Sequence, residues 1–276
     1  MNKLPISAII LTHNEELNLE NCLKNIYDWV SEIFIVDSYS DDKTLEIAEK
    51  YGAKTIQHPF ENQAKQFNWA LDNLDLKNEW ILRLDADERL TKELWQEIAE
   101  ILPKIPTEIS GFYIKRRVYF MGRWIKHGGY YPTWLLRLFR KGKARSEDRE
   151  MDEHIILLEG KAEKLKNDFI DDNKKDLTFW IDKHNKFSSR EVIEVLKGGQ
   201  RVEGIAGSVR QRRLAKKKYY QLPVFFRAFF YFYTRYFFRL GFLDGKEGLI
   251  FHFLQGLWYR FLIDAKLYEK RKSHSA

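Results

Sequence analysis

The chain has 276 residues, of which 44% are hydrophobic and 32% charged. That balance is globular rather than disordered, and the length suits one or two domains with a full core. A single cysteine, Cys22, excludes an internal disulfide framework and a Cys-rich zinc site; the net charge of +7 points to an acidic partner without choosing among nucleic acid, phosphate compounds and anionic lipid.

Leu4 to Leu11 opens on an apolar run with no basic segment or cleavage site before it, so no signal peptide is expected. Ile6 to Leu11 suits a buried parallel strand ending in Thr12-His13-Asn14-Glu15. Leu19, Cys22, Leu23 and Ile26 recur at helical spacing, which makes Cys22 a helix-core residue. A second strand, Ile33 to Val36, ends in Asp37-Ser38-Tyr39-Ser40-Asp41-Asp42. A helix from Thr44, a weak strand at Ala53 to Gln57 and a helix from Gln63 to Leu74 follow. Trp80 to Leu84 is a fourth strand, stopped by Asp85-Ala86-Asp87-Glu88, and Lys92 to Leu102 is helical. This alternation predicts an α/β fold, with a mainly parallel sheet flanked by helices and a ligand crevice at the carboxyl ends of the strands. After Pro106 come two longer strands, Gly111 to Tyr119 and Trp134 to Arg140, separated by a glycine and aromatic loop. Asp176 to Leu196 reads as a helix stopped by Gly198-Gly199. The domains are expected at 1–200 and 201–276.

Three polar strand ends carry the candidate chemistry. Asp85 and Asp87, two apart on an extended segment, would emerge on one side, and two hard carboxylates suit Mg²⁺ or Mn²⁺ bridging a diphosphate. Asp41, Asp42 and Thr44 are the better helix caps, which leaves Asp37 free to accept from a base or a ribose. Arg137 and Arg140 stand at a strand end, where they would reach a diphosphate or acceptor, or line a solvated edge. His127, His154 and His184 lack the close spacing of a metal site.

The ordered set Ile9 to Glu15, Ile35 to Thr44 and Asp85 to Glu88 resembles glycosyltransferase family 2. Gln66 to Leu71 and Trp180 to Phe187 resemble its bacterial lipopolysaccharide-core and exopolysaccharide members. The resemblance implies a GT-A fold, a divalent metal and inverting transfer from a nucleotide-sugar to a glycan or lipid-linked acceptor. It implies that Thr12 and Asp37 hold the base, with Asn14 and Glu15 nearby, and that Asp85 and Asp87 hold ribose, metal and diphosphate. Many relatives have a basic residue where this chain has Phe67; Lys65 is the nearby substitute for that donor contact. A Val-His-Glu-like motif appears here as Met151-Asp152-Glu153, which makes Glu153 the catalytic base and Asp152 its alternative. Glu147, Asp148 and Glu150 read as a solvated charge run.

Two other classes compete. A sugar nucleotidyltransferase would open with a Gly-rich phosphate loop, and Thr12 to Glu15 contains no glycine. A nucleic-acid binder is suggested by the tail, where Val209 to Leu243 holds nine basic and no acidic residues, but no RNA-binding signature accompanies it and nucleic acid is not the expected partner. Val224 to Phe242 reads as one amphipathic helix with Arg227, Arg235 and Arg239 towards phosphates and Phe opposite. The expectation is a peripheral protein on the cytoplasmic face of an anionic membrane; the alternative is a helix packed on the core.

Overall fold

The first strand, β1 (Leu4–Thr12), feeds α1 (Leu19–Ile26), and β2 (Val30–Asp37) feeds α2 (Thr44–Lys50). Then come β3 (Lys54–Gln57), α3 (Gln63–Asn73), β4 (Trp80–Asp85), β5 (Glu88–Leu90) and α4 (Lys92–Ile101). Side chains start two of these helices: Asn62 accepts from the Lys65 N–H at 2.8 Å and Thr91 from the Leu94 N–H at 3.2 Å. The computed structural model describes residues 3–147, 149, 153–197 and 207–273.

The later strands are β6 (Ile109–Phe120), β7 (Arg123–Trp124), β8 (Thr133–Arg140), β9 (Ala144–Ser146), β10 (Ile155–Leu157) and β11 (Lys161–Asp171). The main sheet runs β3-β2-β1-β4-β8-β6-β11-β5. Pairing is parallel through β3, β2, β1 and β4, and β8 enters antiparallel. Successive residues of β1 feed opposite faces, as the strand pleat requires: Ile10 packs with Leu23 and Trp95, and Ile9 packs with Phe67 and Phe139. Helices on both faces explain why β1, β2 and β4 are apolar almost throughout. Cys22 lies in this core, where burial pushes its thiol well above the ordinary range.

Internal packing divides the chain into two units. One is Met1–Tyr119, Pro132–Arg149 and Glu153–Lys174; the other holds Phe120–Tyr131 and Lys175–Ala276. The expected boundary at 200 therefore differs from the observed one near 174. The second unit contains α5 (Leu177–Leu196), α6 (Gly207–Tyr220), α7 (Phe226–Tyr233), α8 (Gly245–Phe251) and α9 (Tyr259–Ser273). Helix α5 belongs here because Val192 packs with Tyr259, Ile263 and Leu267, and buried Glu191 accepts from Lys216 and Tyr220. The Gly198-Gly199 stop lies outside the described residues.

The tail is not the single helix expected over Val224 to Phe242. After α7 the chain makes a π turn at Thr234–Phe238, and Leu240 adopts a left-handed φ of 59°. Gly241 then approaches His252 so closely that a Cβ would meet its ring at 2.6 Å. Two of the three arginines turn inward, while Arg239 stays exposed. Arg227 is buried against Asp264, with Nε 2.9 Å from Oδ1, and Arg235 Nε donates to the Gly128 carbonyl at 2.6 Å. A partner 37 residues away, as Asp264 is to Arg227, is invisible to a helical projection.

Candidate active site

The carboxyl ends of three adjacent parallel strands build the site. In register, Thr12 of β1 lies beside Asp37 of β2, and Leu11 lies beside Asp85 of β4. Two carboxylates therefore flank the end of one strand, on neighbouring strands.

Thr12 Oγ1 donates to Asp37 Oδ1 at 2.8 Å, and both residues are buried. The Ser40 hydroxyl and backbone N–H also donate to Asp37, at 2.5 and 2.8 Å. Asp37 is thus not left free, as expected, but organises this wall. The reason is local: the loop after β2 folds back over its own strand end, so Ser40 competes for the carboxylate. Asn14, at a left-handed φ of 53° that asparagine tolerates, joins the two loops. Its N–H donates to Ser40 Oγ at 2.8 Å and its side chain to Asp41 Oδ1 at 2.7 Å. The Glu15 N–H donates to Thr44 Oγ1, and the Glu15 carboxylate accepts from Asn18, each at 2.7 Å.

Asp85 is the last residue of β4, and Ala86 and Asp87 form the turn into β5. The two carboxylates therefore sit across a tight turn and not along an extended segment. Glu88 Oε2 accepts from the Asp85 N–H at 3.0 Å, the Asp87 carbonyl accepts from the Asp172 N–H at 3.0 Å, and Asp87 Oδ2 accepts from Asn173 at 2.7 Å. Asp172 itself is held by Arg89 at 2.7 Å and Lys174 at 2.6 Å.

Arg137 lies within β8, buried, and neither at a strand end nor on a solvated edge. It donates to Asp85 Oδ2 at 3.1 Å and pairs with buried Glu88. Burial pushes the Glu88 carboxyl up, Arg137 pulls it down, and Asp85, Asp171 and Asp87 push it up again. Arg140 is at the wrong end of its strand for the crevice. The antiparallel register sets it beside Trp80, at the start of β4, where it pairs with Glu79. Removing one member of the buried pair leaves the other uncompensated. Arg137→Met is therefore expected to cost about 3–5 kcal/mol of stability, and Glu88→Gln added to it to restore part of that in thermal melts.

Lys65 pairs with Glu61 at 2.5 Å on an exposed turn of α3. Phe67 is wholly buried, and Arg83 of β4 lies over its ring, 5.2 Å from the centroid. Arg83 also stands 3.5 Å from Asp85 Oδ1, so a second cation beside the triplet, after Arg137, is a strand residue that no motif had singled out.

The expected base lies in the segment between β9 and β10, which pair antiparallel. Asn68 of α3 ties this hairpin down through two 2.9 Å hydrogen bonds with Ser146. Glu153 is half-buried, two residues before β10. Asp152 lies outside the described residues, as do Asp148 and Glu150. Glu147 is not a solvated acid: its side chain is only 11% exposed and it accepts from the His154 N–H at 3.2 Å. His127 bonds Asp244 at 2.6 Å, and His184 stacks on Trp180 at 3.5 Å between centroids.

The donor set suits a hard divalent cation in part. Asp87 Oδ1 accepts no hydrogen bond among the described residues, whereas Asp85 is engaged by two arginines. No three His, Cys, Asp or Glu side chains among the described residues converge as a complete ligand set. A cation here would fill its shell with oxygens from a ligand and water.

Comparison with known proteins agrees with this geometry. Residues 7–155 match the profile of Glycosyl transferase family 2. The chain is 29% identical over 284 residues to the lipopolysaccharide core biosynthesis glycosyltransferase LpsC of Rhizobium meliloti (strain 1021), covering 97% of this chain and 93% of that protein. It is 28% identical over 281 residues to the glycosyltransferase RT0209 of Rickettsia typhi (strain ATCC VR-144 / Wilmington), covering 96% and 87%. Among solved structures, residues 1–349 of S. aureus TarS with UDP-GlcNAc superpose with a TM-score of 0.52 at 12% identity, covering 97% of this chain and 92% of that one. The fold is GT-A, and the chain belongs to glycosyltransferase family 2.

Proposed function

We propose that the protein transfers a sugar, with inversion, from a nucleotide-sugar to a glycan or lipid-linked glycan of lipopolysaccharide type, with a divalent metal, Mg²⁺ or Mn²⁺, at Asp87. The observation that carries this is the register of β2, β1 and β4, which sets Asp37 and Asp85 on either side of one strand end. Similarity to LpsC along nearly the whole chain supports the acceptor class.

On this reading Thr12, Asp37, Asn14 and Glu15 form the base side, and Asp85 the ribose side. Arg137 positions Asp85 and Glu88 rather than touching the donor, and Lys65 is at most a peripheral contact. Glu153 takes the proton of the acceptor hydroxyl as the new bond forms, because a sugar hydroxyl is too weakly acidic to attack unaided. Asp87, with Asp85 beside it, would hold the metal, which when bound would supply charge neutralisation for the leaving diphosphate. Displacement from the face opposite the leaving group inverts the anomeric carbon.

The test is a panel of nucleotide-sugars with MnCl₂, read by thermal stabilisation and by release of nucleoside diphosphate. Stabilisation and turnover with donors of one base are expected. Formation of a nucleotide-sugar from sugar phosphate and nucleoside triphosphate would replace this reading with the nucleotidyltransferase one.

A further inference from the structure

The tail carries a surface that the transfer chemistry does not use. On α7 and its π turn, Phe226, Phe229, Phe230, Tyr233 and Phe237 recur at helical spacing, and all five are exposed. The segment from α8 through the π turn at His252–Trp258 into α9 presents a second exposed stripe of Leu249, Ile250, Phe253 and Phe261. The stripes meet: the Phe229 and Phe261 rings lie 6.3 Å apart, and Phe232 and Phe253 lie 6.4 Å apart. Phe238 is 75% exposed and Phe226 65%. Single exposed apolar side chains need no explanation, but a contiguous aromatic face marks an interaction surface.

Charge identifies the occupant. From Val209 to Ile263 the only acidic residues are Asp244 and Glu247. Asp244 is buried and accepts from His127, and Glu247 lies 3.8 Å from Arg123. The exposed charges of this stretch include Lys217, Lys218, Arg239 and Lys246, all positive. An exposed apolar face on a stretch whose named exposed charges are all cations complements an anionic lipid surface, and it would set like charges against each other between two copies. No described helix is long and apolar enough to cross a membrane.

We infer that the two stripes lie in the plane of an anionic lipid leaflet, with their rings at the acyl boundary and Lys217 and Lys218 on the headgroup phosphates. Arg227 and Arg235, turned inward, take no part. The inference rests on the tail's surface alone and stands or falls apart from the proposed transfer.

The experiment is sedimentation of the full chain with vesicles of equal parts phosphatidylglycerol and phosphatidylcholine, against phosphatidylcholine alone. The full chain is expected to bind the anionic vesicles. Phe226→Glu, Phe230→Glu and Phe238→Glu together are expected to weaken binding by more than roughly 100-fold, as burial of three rings implies. Lys217→Gln with Lys218→Gln is expected to weaken it roughly 30-fold on anionic vesicles only. Melting and donor hydrolysis serve as controls, since none of the five positions belongs to the donor crevice. Failure of the full chain to bind, or equal binding by the triple variant, would overturn the inference. So would a chain that ignores vesicles but forms a dimer that the triple variant dissolves.

Discussion

Asp87→Asn is expected to abolish turnover while the protein melts as before. The substitution keeps the size of the side chain and an oxygen for the 2.7 Å hydrogen bond from Asn173, so the turn between β4 and β5 retains its support. It removes the negative charge from the one carboxylate of the triplet with an oxygen unengaged among the described residues. Neutralising a leaving diphosphate is worth several kcal/mol, so the rate is expected to fall by at least roughly 10³-fold. The same variant should lose Mn²⁺-dependent thermal stabilisation by the donor. Near-normal transfer by Asp87→Asn, or full activity in excess chelator, would contradict the metal role.

Glu153→Gln is expected to lower kcat by roughly 10² to 10⁴ with donor binding little changed, the signature of a lost general base. Three acids compete for this role in the segment before β10. Asp152 is the neighbour of Glu153 in sequence and the alternative the motif offers. Glu147 is the rival the structure adds, since it is largely buried beside His154 and not solvated. A pH profile separates the three: loss of the acidic limb, the fall in kcat as the base is protonated, in Glu153→Gln, with that limb kept in Asp152→Asn and Glu147→Gln, assigns the base. An inactive Asp152→Asn beside an active Glu153→Gln would move the assignment one residue back.

The strand ends were legible because they obey local rules. An apolar run cut by a polar cluster marks a buried parallel strand and its carboxyl end, and β1, β2 and β4 all carry that mark. Strand β11 was not legible, because Lys161–Asp171 is a polar sequence whose charges pair in space: Asp168 binds Lys115 at 3.1 Å and Arg117 at 2.6 Å. Strand β5 has three residues and pairs with β11, a partner 79 to 83 positions later, which leaves no periodic trace. The buried arginines failed for the same reason. Arg83, Arg137 and Arg227 look like surface residues until their partners are known, and Glu88 and Asp264 come close only through sheet register and helix packing. Asp37 was placed correctly but thought free, because the return of Ser40 onto its carboxylate is a property of the loop's path and not of its composition.

The most direct measurement follows the sugar itself. Many transferases hydrolyse their donor slowly when no acceptor is present, which makes the stereochemistry readable without knowing the acceptor. The protein is incubated with an α-linked nucleotide-sugar and Mn²⁺, and the released sugar is followed by proton NMR before it mutarotates. A single displacement opposite the leaving diphosphate yields the β-anomer first, and Asp87→Asn yields no sugar at all. The α-anomer as first product, or equal release by Asp87→Asn, would contradict an inverting displacement at this crevice.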